Sequence, residues 1–415
     1  MSSFKTFSLQ SVPALLFGFF AVFGGNFGQS FFVGFFGEEI QHSLNLSASE
    51  YSSAYSLATL VSAMTVVWLG GLIDRVSLQK YVIFVVAGLT VATLILSQAT
   101  HLAVLTVGLF LLRLFGQALL PHAGATTMAR AFDTHRGKSL SIASSGFPAG
   151  EIVLPILAVS FISAFGWRWT YLSIAIFIVF ILLPTLILCI QLSGLNQFDP
   201  EIENQNNTIP DKEKKVSVRS ALLKDYRYWL ALPGLMAGPF VATGIFIHQD
   251  YIVMTKQWTP ELLAVSFVVY GVVHWLSSLL SGVLVDRYRA VKLLPFFSLP
   301  LLIALIVVTF FSGWWVVFAM MVLMGLTIGL SPPITGSLWP EIYGTENIGT
   351  IRSINVAIMV FATSLSPVLF GLLIDVHIPL STILGGCAVY VGLSTVMMAF
   401  SYFRHPYQHS IALDA

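Results

Sequence analysis

Apolar residues in this chain fall into runs of about 20, the length that carries a helix across a hydrocarbon core of roughly 30 Å. Few folds satisfy such a pattern. A backbone in lipid must pair its own N–H and C=O groups, and only helices and closed barrels do so. Runs this long are helices, since a spanning strand needs only about 10 residues. Charged residues make up 9% of the chain, against about 25% in a soluble domain. The first run, Pro13 to Phe36, is too long for the core of a cleavable leader, and is expected to stay as a span ending at Gly37-Glu38-Glu39.

Twelve spans are expected, at roughly 12–36, 51–73, 80–98, 102–129, 138–164 and 168–193, then 229–254, 262–285, 292–312, 314–338, 350–374 and 380–402. Between the two sets lies a polar stretch containing Asp211-Lys212-Glu213-Lys214-Lys215, with too few apolar residues to bury a core. The reading is therefore an all-α polytopic membrane protein: a six-helix bundle over 1–193, a cytoplasmic linker over 194–227 and a second six-helix bundle over 228–415. With both termini and the linker cytoplasmic, all but three of the 20 Lys and Arg fall inside; Arg168 and Lys256 lie outside and Arg113 lies within the membrane. That bias sets the expected orientation, in an inner or plasma membrane. The net charge of +1 suggests no nucleic-acid partner. Cys189 and Cys387 both sit in apolar runs and read as packing residues, and no metal or cofactor is implied.

The two halves repeat at an offset of 212 residues. Gly70, Leu72, Asp74 and Arg75 match Gly282, Leu284, Asp286 and Arg287, while Pro121, Gly124, Gly137 and Pro155 match Pro333, Gly336, Gly349 and Pro367. Two parallel six-helix repeats are a transporter plan, with the substrate site near the bilayer midplane.

Two helices carry a charge far from either end. Arg113 lies about 11 residues into helix 4 and Glu151 about 13 into helix 5, roughly 17 and 20 Å deep at 1.5 Å per residue. A charge at mid-membrane costs about 2.5–3.5 kcal/mol on insertion scales. The chain either uses these two residues in a pathway or pairs them as structure. His274 reaches a similar depth in helix 8, where a hydrogen-bonded packing role and a pathway role are equally open. Asn26 and Gln29 lie mid-depth in helix 1 among Gly24, Gly25 and Gly28, which suit close helix packing. Their amides then need partners across helices or in a wet cavity. Helix 1 also carries phenylalanines all round its surface, weak support for an aromatic drug pocket. His248-Gln249-Asp250, near the outer end of helix 7, reads as an interfacial polar cluster, with a lining of the outer gate as the alternative.

The loop Gly71-Leu72-Ile73-Asp74-Arg75-Val76-Ser77-Leu78-Gln79-Lys80, its copy Gly282-Val283-Leu284-Val285-Asp286-Arg287-Tyr288-Arg289, and Arg113 with Gly116 on helix 4 resemble the major facilitator superfamily across nearly the whole chain. Within it, Arg136-Gly137-Lys138-Ser139-Leu140 with Gly146 and Gly150 resembles the monocarboxylate and oxalate/formate carriers. Duplication of the acidic loops and the positive end of a helix dipole point to gates. Asp74, beside Arg75, is expected at the start of helix 11 near Arg352; Asp286, beside Arg287, is expected at the start of helix 5 near Arg136 and Lys138.

The expectation is a proton-coupled secondary carrier of a small organic anion, a monocarboxylate by resemblance, working by alternating access. Substrate and coupling are assigned to Arg113, Glu151, His274, Asn26 and Gln29. Efflux of hydrophobic drugs by proton antiport is the alternative within the class; a non-transporting receptor or assembly factor is the alternative outside it. No nucleophile–base pair, metal-ligand cluster or phosphate-binding loop is visible, so the chain is not read as an enzyme and its energy comes from an ion gradient. Its expected partners are a small-molecule substrate, protons and the lipid bilayer, and it is expected to act as a monomer.

Overall fold

The computed structural model describes residues 11–132, 135–195, 222–344 and 348–403. Most of the stretch read as a linker, with Lys212, Lys214, Lys215 and Arg219, lies outside the described residues, as do Lys5 and Arg404. Among the described residues every regular element is helical. Ten runs are long and apolar enough to cross a membrane: Val12–Gly34 (α1), Ala48–Asp74 (α2), Leu78–Ser97 (α3), Leu102–Ala131 (α4), Arg136–Ser193, Tyr226–Ile247 (α7), Pro260–Tyr288 (α8), Trp314–Tyr343 (α10), Gly349–Asp375 (α11) and Leu380–Tyr402 (α12).

Arg136–Ser193 has 58 residues, about 87 Å of helix and too much for one pass. It breaks at Gly166, whose φ of +75° an L-residue adopts only with strain. Residues 136–165 form α5 and 167–193 form α6. The shorter apolar helix Leu299–Phe310 is α9, which completes twelve. The seventh span is shorter than the sequence suggests: it closes at Ile247, and a separate helix, Gln249–Lys256, follows.

The described residues group into two compact units. The first holds α1 to α6 together with Phe246–Tyr251 and Pro367–Asp375; the second holds the rest of α7 to α12.

In the first unit α1 lies against α4 and α5 without room for side chains. A Cβ on Gly28 would stand 2.4 Å from the Gln117 nitrogen and 2.6 Å from the Leu112 oxygen. Small residues of this kind substitute van der Waals contact for the hydrophobic drive that lipid cannot supply. α1 is interrupted here: Asn26–Gly28 narrows to a tighter turn and Gln29 is extended, with ψ of 150°. Opposite the interruption α4 widens into a π-helical stretch at Leu112–Leu119. Such insertions free backbone groups and concentrate at functional positions. Met64, Val67 and Trp68 of α2 are exposed, the outward apolar face expected of a chain solvated by lipid.

In the second unit α8 and α10 pack equally closely, at Gly325 and Gly329 of α10. Below them a core of Tyr228, Leu338, Trp339 and Tyr402 joins α7, α10 and α12. Its polar centre is Asp225, which accepts from Tyr343 Oη at 2.9 Å, Tyr402 Oη at 3.3 Å and Arg227 Nε at 3.2 Å.

Candidate functional site

The interruption of α1 and the widened turn of α4 place one guanidinium deep inside the apolar span of α4. Arg113 is 2% exposed and donates through Nη1 to the Gly28 carbonyl at 2.9 Å. That carbonyl is available because the tight turn at Asn26–Gly28 releases it from the regular helical pattern. The guanidinium lies 4.8 Å from the centre of the Tyr55 ring of α2, a cation–π arrangement. Its Nε has no hydrogen-bond partner among the described residues. Arg113 is thus addressed to α1 and α2, and its charge is met by a carbonyl dipole and a ring face.

Asn26 is fully buried and ties α1 to α5. Its Nδ2 donates to Phe23 O at 3.0 Å and Gly146 O at 2.9 Å, while Oδ1 is unpartnered among the described residues. A Cβ on Gly150 would come within 2.1 Å of Asn26 Nδ2, so Gly150 is what lets that amide reach α5. Glu151, 6% exposed, follows directly. Gln29 is half-buried at the extended break. Asn26, Gln29, Arg113 and Glu151 therefore share the interior of the first unit. His274 belongs to the second unit, where it is half-buried and its ring centre is 6.0 Å from that of Tyr270.

The residues expected at the gates are exposed and lie at helix ends or in the turn that follows α2. In the first unit Asp74 pairs with Arg130 at the end of α4. In the second, Arg352 donates to Gly336 O at 3.1 Å, and Arg287 stands 5.3 Å from the Tyr288 ring centre. Arg75, Asp286, Arg136 and Lys138 are exposed. The corresponding α8–α10 contact has its charges exchanged: Arg289 lies 3.8 Å from Glu341, which also accepts the Ala290 N–H at 2.8 Å. Arg130 and Glu341 carry no motif, so sequence reasoning did not single them out.

The opposite end of the first unit corrects the reading of His248-Gln249-Asp250 as an interfacial cluster. His248 and Gln249 are 3% and 2% exposed. Each of the three residues takes a different partner. His248 Nε2 meets the Pro367 carbonyl at 2.9 Å, so that nitrogen carries the proton and donates; burial pushes its pKa down to about 4 and keeps it neutral. Gln249 Nε2 donates to Phe31 O at 3.3 Å. Asp250 Oδ2 accepts the Glu38 N–H at 2.9 Å, at the start of the helix Gly37–Leu44, whose own cap position, Phe36, offers no side-chain acceptor. Burial raises the Asp250 carboxyl to about 7, with the Glu38 N–H drawing it down and the Glu38 and Glu39 carboxylates adding to the rise. Asp375 performs the same service for α2, accepting from Ala48 N at 3.1 Å and Ser49 N at 3.0 Å beside the Ser47–Glu50 capping box.

The family profile described as Major Facilitator Superfamily matches residues 17–254 and 240–413. The chain belongs to this superfamily. It is accordingly an integral membrane transporter and not an enzyme, handling small molecules within the bilayer. A curated relative, the uncharacterized MFS-type transporter YcxA of Bacillus subtilis (strain 168), is 27% identical over 397 residues, covering 92% of this chain and 93% of its own. Two solved structures share the superfamily fold at 13% identity, covering 98% of this chain and 100% of theirs. Both are of a bacterial homolog to the human lysosomal transporter Spinster in an inward-facing conformation, unoccupied at a TM-score of 0.69 and occupied at 0.72.

The repeat duplicates the loops that carry Asp74 and Asp286 but not the buried polar core. At the offset of 212, Arg113 falls on Gly325, Glu151 on Thr363, Asn26 on Gly238 and Gln29 on Val241. Gly325 instead serves close packing, since a Cβ there would stand 2.8 Å from Tyr270 O. At this offset neither Arg113 nor Glu151 has a charged counterpart in the second repeat.

Proposed function

We propose that this transporter is a proton-coupled carrier of a small organic anion, a monocarboxylate in the first instance, with both termini cytoplasmic. The observation that carries the reading is Arg113: a guanidinium 2% exposed, at mid-membrane, whose Nε has no partner among the described residues. A buried arginine stays charged and presents a planar fork that fits a carboxylate. Its protein partners, a carbonyl and a ring, supply no counter-charge, so an anionic substrate fits what the site lacks. Glu151, buried in the same unit as Arg113, is the carboxyl to which this reading assigns the coupling proton, with His274 as the other candidate.

Anion binding at Arg113 and protonation at Glu151 favour one another, because the anion adds a negative charge to an interior of low dielectric and the proton cancels it. Asp74 and Asp286 are the gate residues in this reading, with Arg75, Arg287, Arg136, Lys138 and Arg352 as cationic partners that exchange as the carrier alternates. The test is thermal stabilisation of the purified protein by carboxylates, sugars, amino acids and cationic drugs. A ligand present at 100 times its Kd adds about 2.7 kcal/mol to the folded state. Stabilisation by short carboxylates, lost in Arg113→Gln, supports the reading; stabilisation by cationic drugs alone overturns it.

A further inference from the structure

Asp250 is not part of the mid-membrane site, yet its surroundings give it a distinct role. It lies in the short helix Gln249–Lys256, beyond the end of α7 at Ile247. It is half-buried and joins the helix Gly37–Leu44 through the Glu38 N–H. The groups around it are named readily. Glu38 and Glu39 face it from that helix, and Tyr51 faces it from α2. Glu39 itself accepts the Trp167 N–H of α6 at 3.0 Å. The neighbouring cation, Arg168, is turned elsewhere, onto the Trp167 ring at 4.1 Å and the Ala99 carbonyl at 2.7 Å. Neighbouring His248 is neutral, and Asp375 caps α2. Three carboxylates thus meet at one helix start, and among the described residues none of them is in an ion pair.

We propose that Asp250 is the titrating element of a pH-sensitive clasp, which holds Phe246–Tyr251 on the first unit tightly in acid and loosely once the carboxyl has lost its proton. Two effects oppose one another. The helix dipole favours an anion at the Glu38 N–H. Burial and the carboxylates of Glu38 and Glu39 favour the neutral acid, and they prevail, which places the clasped carboxyl near 7 rather than at its ordinary value of 3.8. The neutral carboxyl still offers one oxygen to the Glu38 N–H. A carboxyl with a higher pKa clasped than free takes up a proton on clasping. The stabilisation is complete below the free value and is lost as pH rises through the clasped one. Closure therefore weakens by up to tenfold per pH unit between about 4 and about 7.

The clasp has two further points, His248 on Pro367 O and Gln249 on Phe31 O, so one proton modulates closure without creating it. The inference is independent of the substrate, and its test needs none.

Val33 is fully buried beside Gly34, and Ser43 is exposed. Val33→Cys and Ser43→Cys are each reacted with a maleimide in the full-length protein in detergent, where both faces are open to reagent. Cys189 and Cys387 are buried, and the unsubstituted chain supplies the blank. The ratio of the two rates cancels the thiol's own pH dependence. It is expected to rise by more than tenfold from pH 5 to 7 and to level off above about 8. In Asp250→Asn the ratio stays at its acid value throughout. In Glu38→Gln with Glu39→Gln, which leaves Asp250 in place, the midpoint moves to lower pH. A flat ratio in the parent protein, an unchanged rise in Asp250→Asn, or an unmoved midpoint in the double variant overturns the proposal.

Discussion

Asp250 accepts the backbone N–H of Glu38 at 2.9 Å, and the two residues are 212 positions apart, the offset that carries Asp74 onto Asp286. Gly34 and Phe246, at the same offset, also touch: a Cβ on Gly34 would lie 1.8 Å from the Phe246 carbonyl oxygen. Counterparts in the two repeats thus come together within the first unit, at the end where Asp375 also caps α2. Two late-chain aspartates hold the starts of two early-chain helices.

Gly34→Ala tests that contact. The added carbon meets backbone, which cannot turn aside as a side chain would. Overpacking of this kind costs about 1–3 kcal/mol. We expect a lower Tm and faster labelling of Val33→Cys at pH 5. Gly238→Ala is the control, because its nearest neighbour would be Thr327 Cγ2 at 3.7 Å. Its Tm should be equal to or above that of the parent, since alanine is the better helix former.

Asp225 and Asp74 make a contrasting pair. The Asp225 side chain is 6% exposed and serves Tyr343, Tyr402 and Arg227 at once. Asparagine offers one acceptor oxygen in place of two, so Asp225→Asn is expected to cost about 1–3 kcal/mol. The Asp74–Arg130 pair is exposed, at 57% and 35%, and is worth at most about 1 kcal/mol. Asp74→Asn should therefore leave Tm nearly unchanged while altering cysteine accessibility from the cytoplasmic side. Unchanged accessibility in both Asp74→Asn and Asp286→Asn would remove these acids from the gate.

Much of this was legible in the chain. Runs of apolar residues have a period and a length that lipid dictates, so the helices could be read from Pro13 onward. The buried charges stood out because charge in such a run is costly. The clasp could not be read, because nothing in His248-Gln249-Asp250 says that Phe31, Glu38 and Pro367 are its partners. The fork of Arg113 was equally hidden. Its acceptor, Gly28 O, becomes available only where α1 tightens and α4 widens, and those local departures depend on glycines packed against backbone. Arg130 and Glu341 carry no signal because charges at helix ends are common and their pairing is tertiary.

Arg113 and Glu151 separate binding from structure. Removing Arg113 leaves the Gly28 carbonyl without its donor rather than a carboxylate without its cation. Arg113→Leu is therefore expected to fold, at a cost of about 1–3 kcal/mol, and to lose carboxylate binding. The double variant Arg113→Leu with Glu151→Leu should fold and not transport. Transport by it at the parent rate would show that the two residues are structural only.

In the proposed proton-coupled cycle, the coupling turns on which group deep in the spans gives up a proton. Arginine stays charged across the physiological range, so Arg113 cannot serve. Glu151 lies in the first unit with Asn26 and Arg113, one residue beyond the glycine that admits the Asn26 amide. In the proposed cycle an anion at Arg113 brings negative charge into the same interior, and a proton taken up with it cancels that charge. Glu151→Gln fixes the neutral form. It should abolish accumulation against a gradient while leaving exchange of labelled substrate measurable, because exchange needs no net proton movement. His274 lies on the α8–α10 seam, next to glycines that bring the two helices into contact. His274→Gln should keep accumulation. Proteoliposomes with an imposed pH gradient distinguish the two. If Glu151→Gln still concentrates substrate and His274→Gln does not, the proton travels through the second unit.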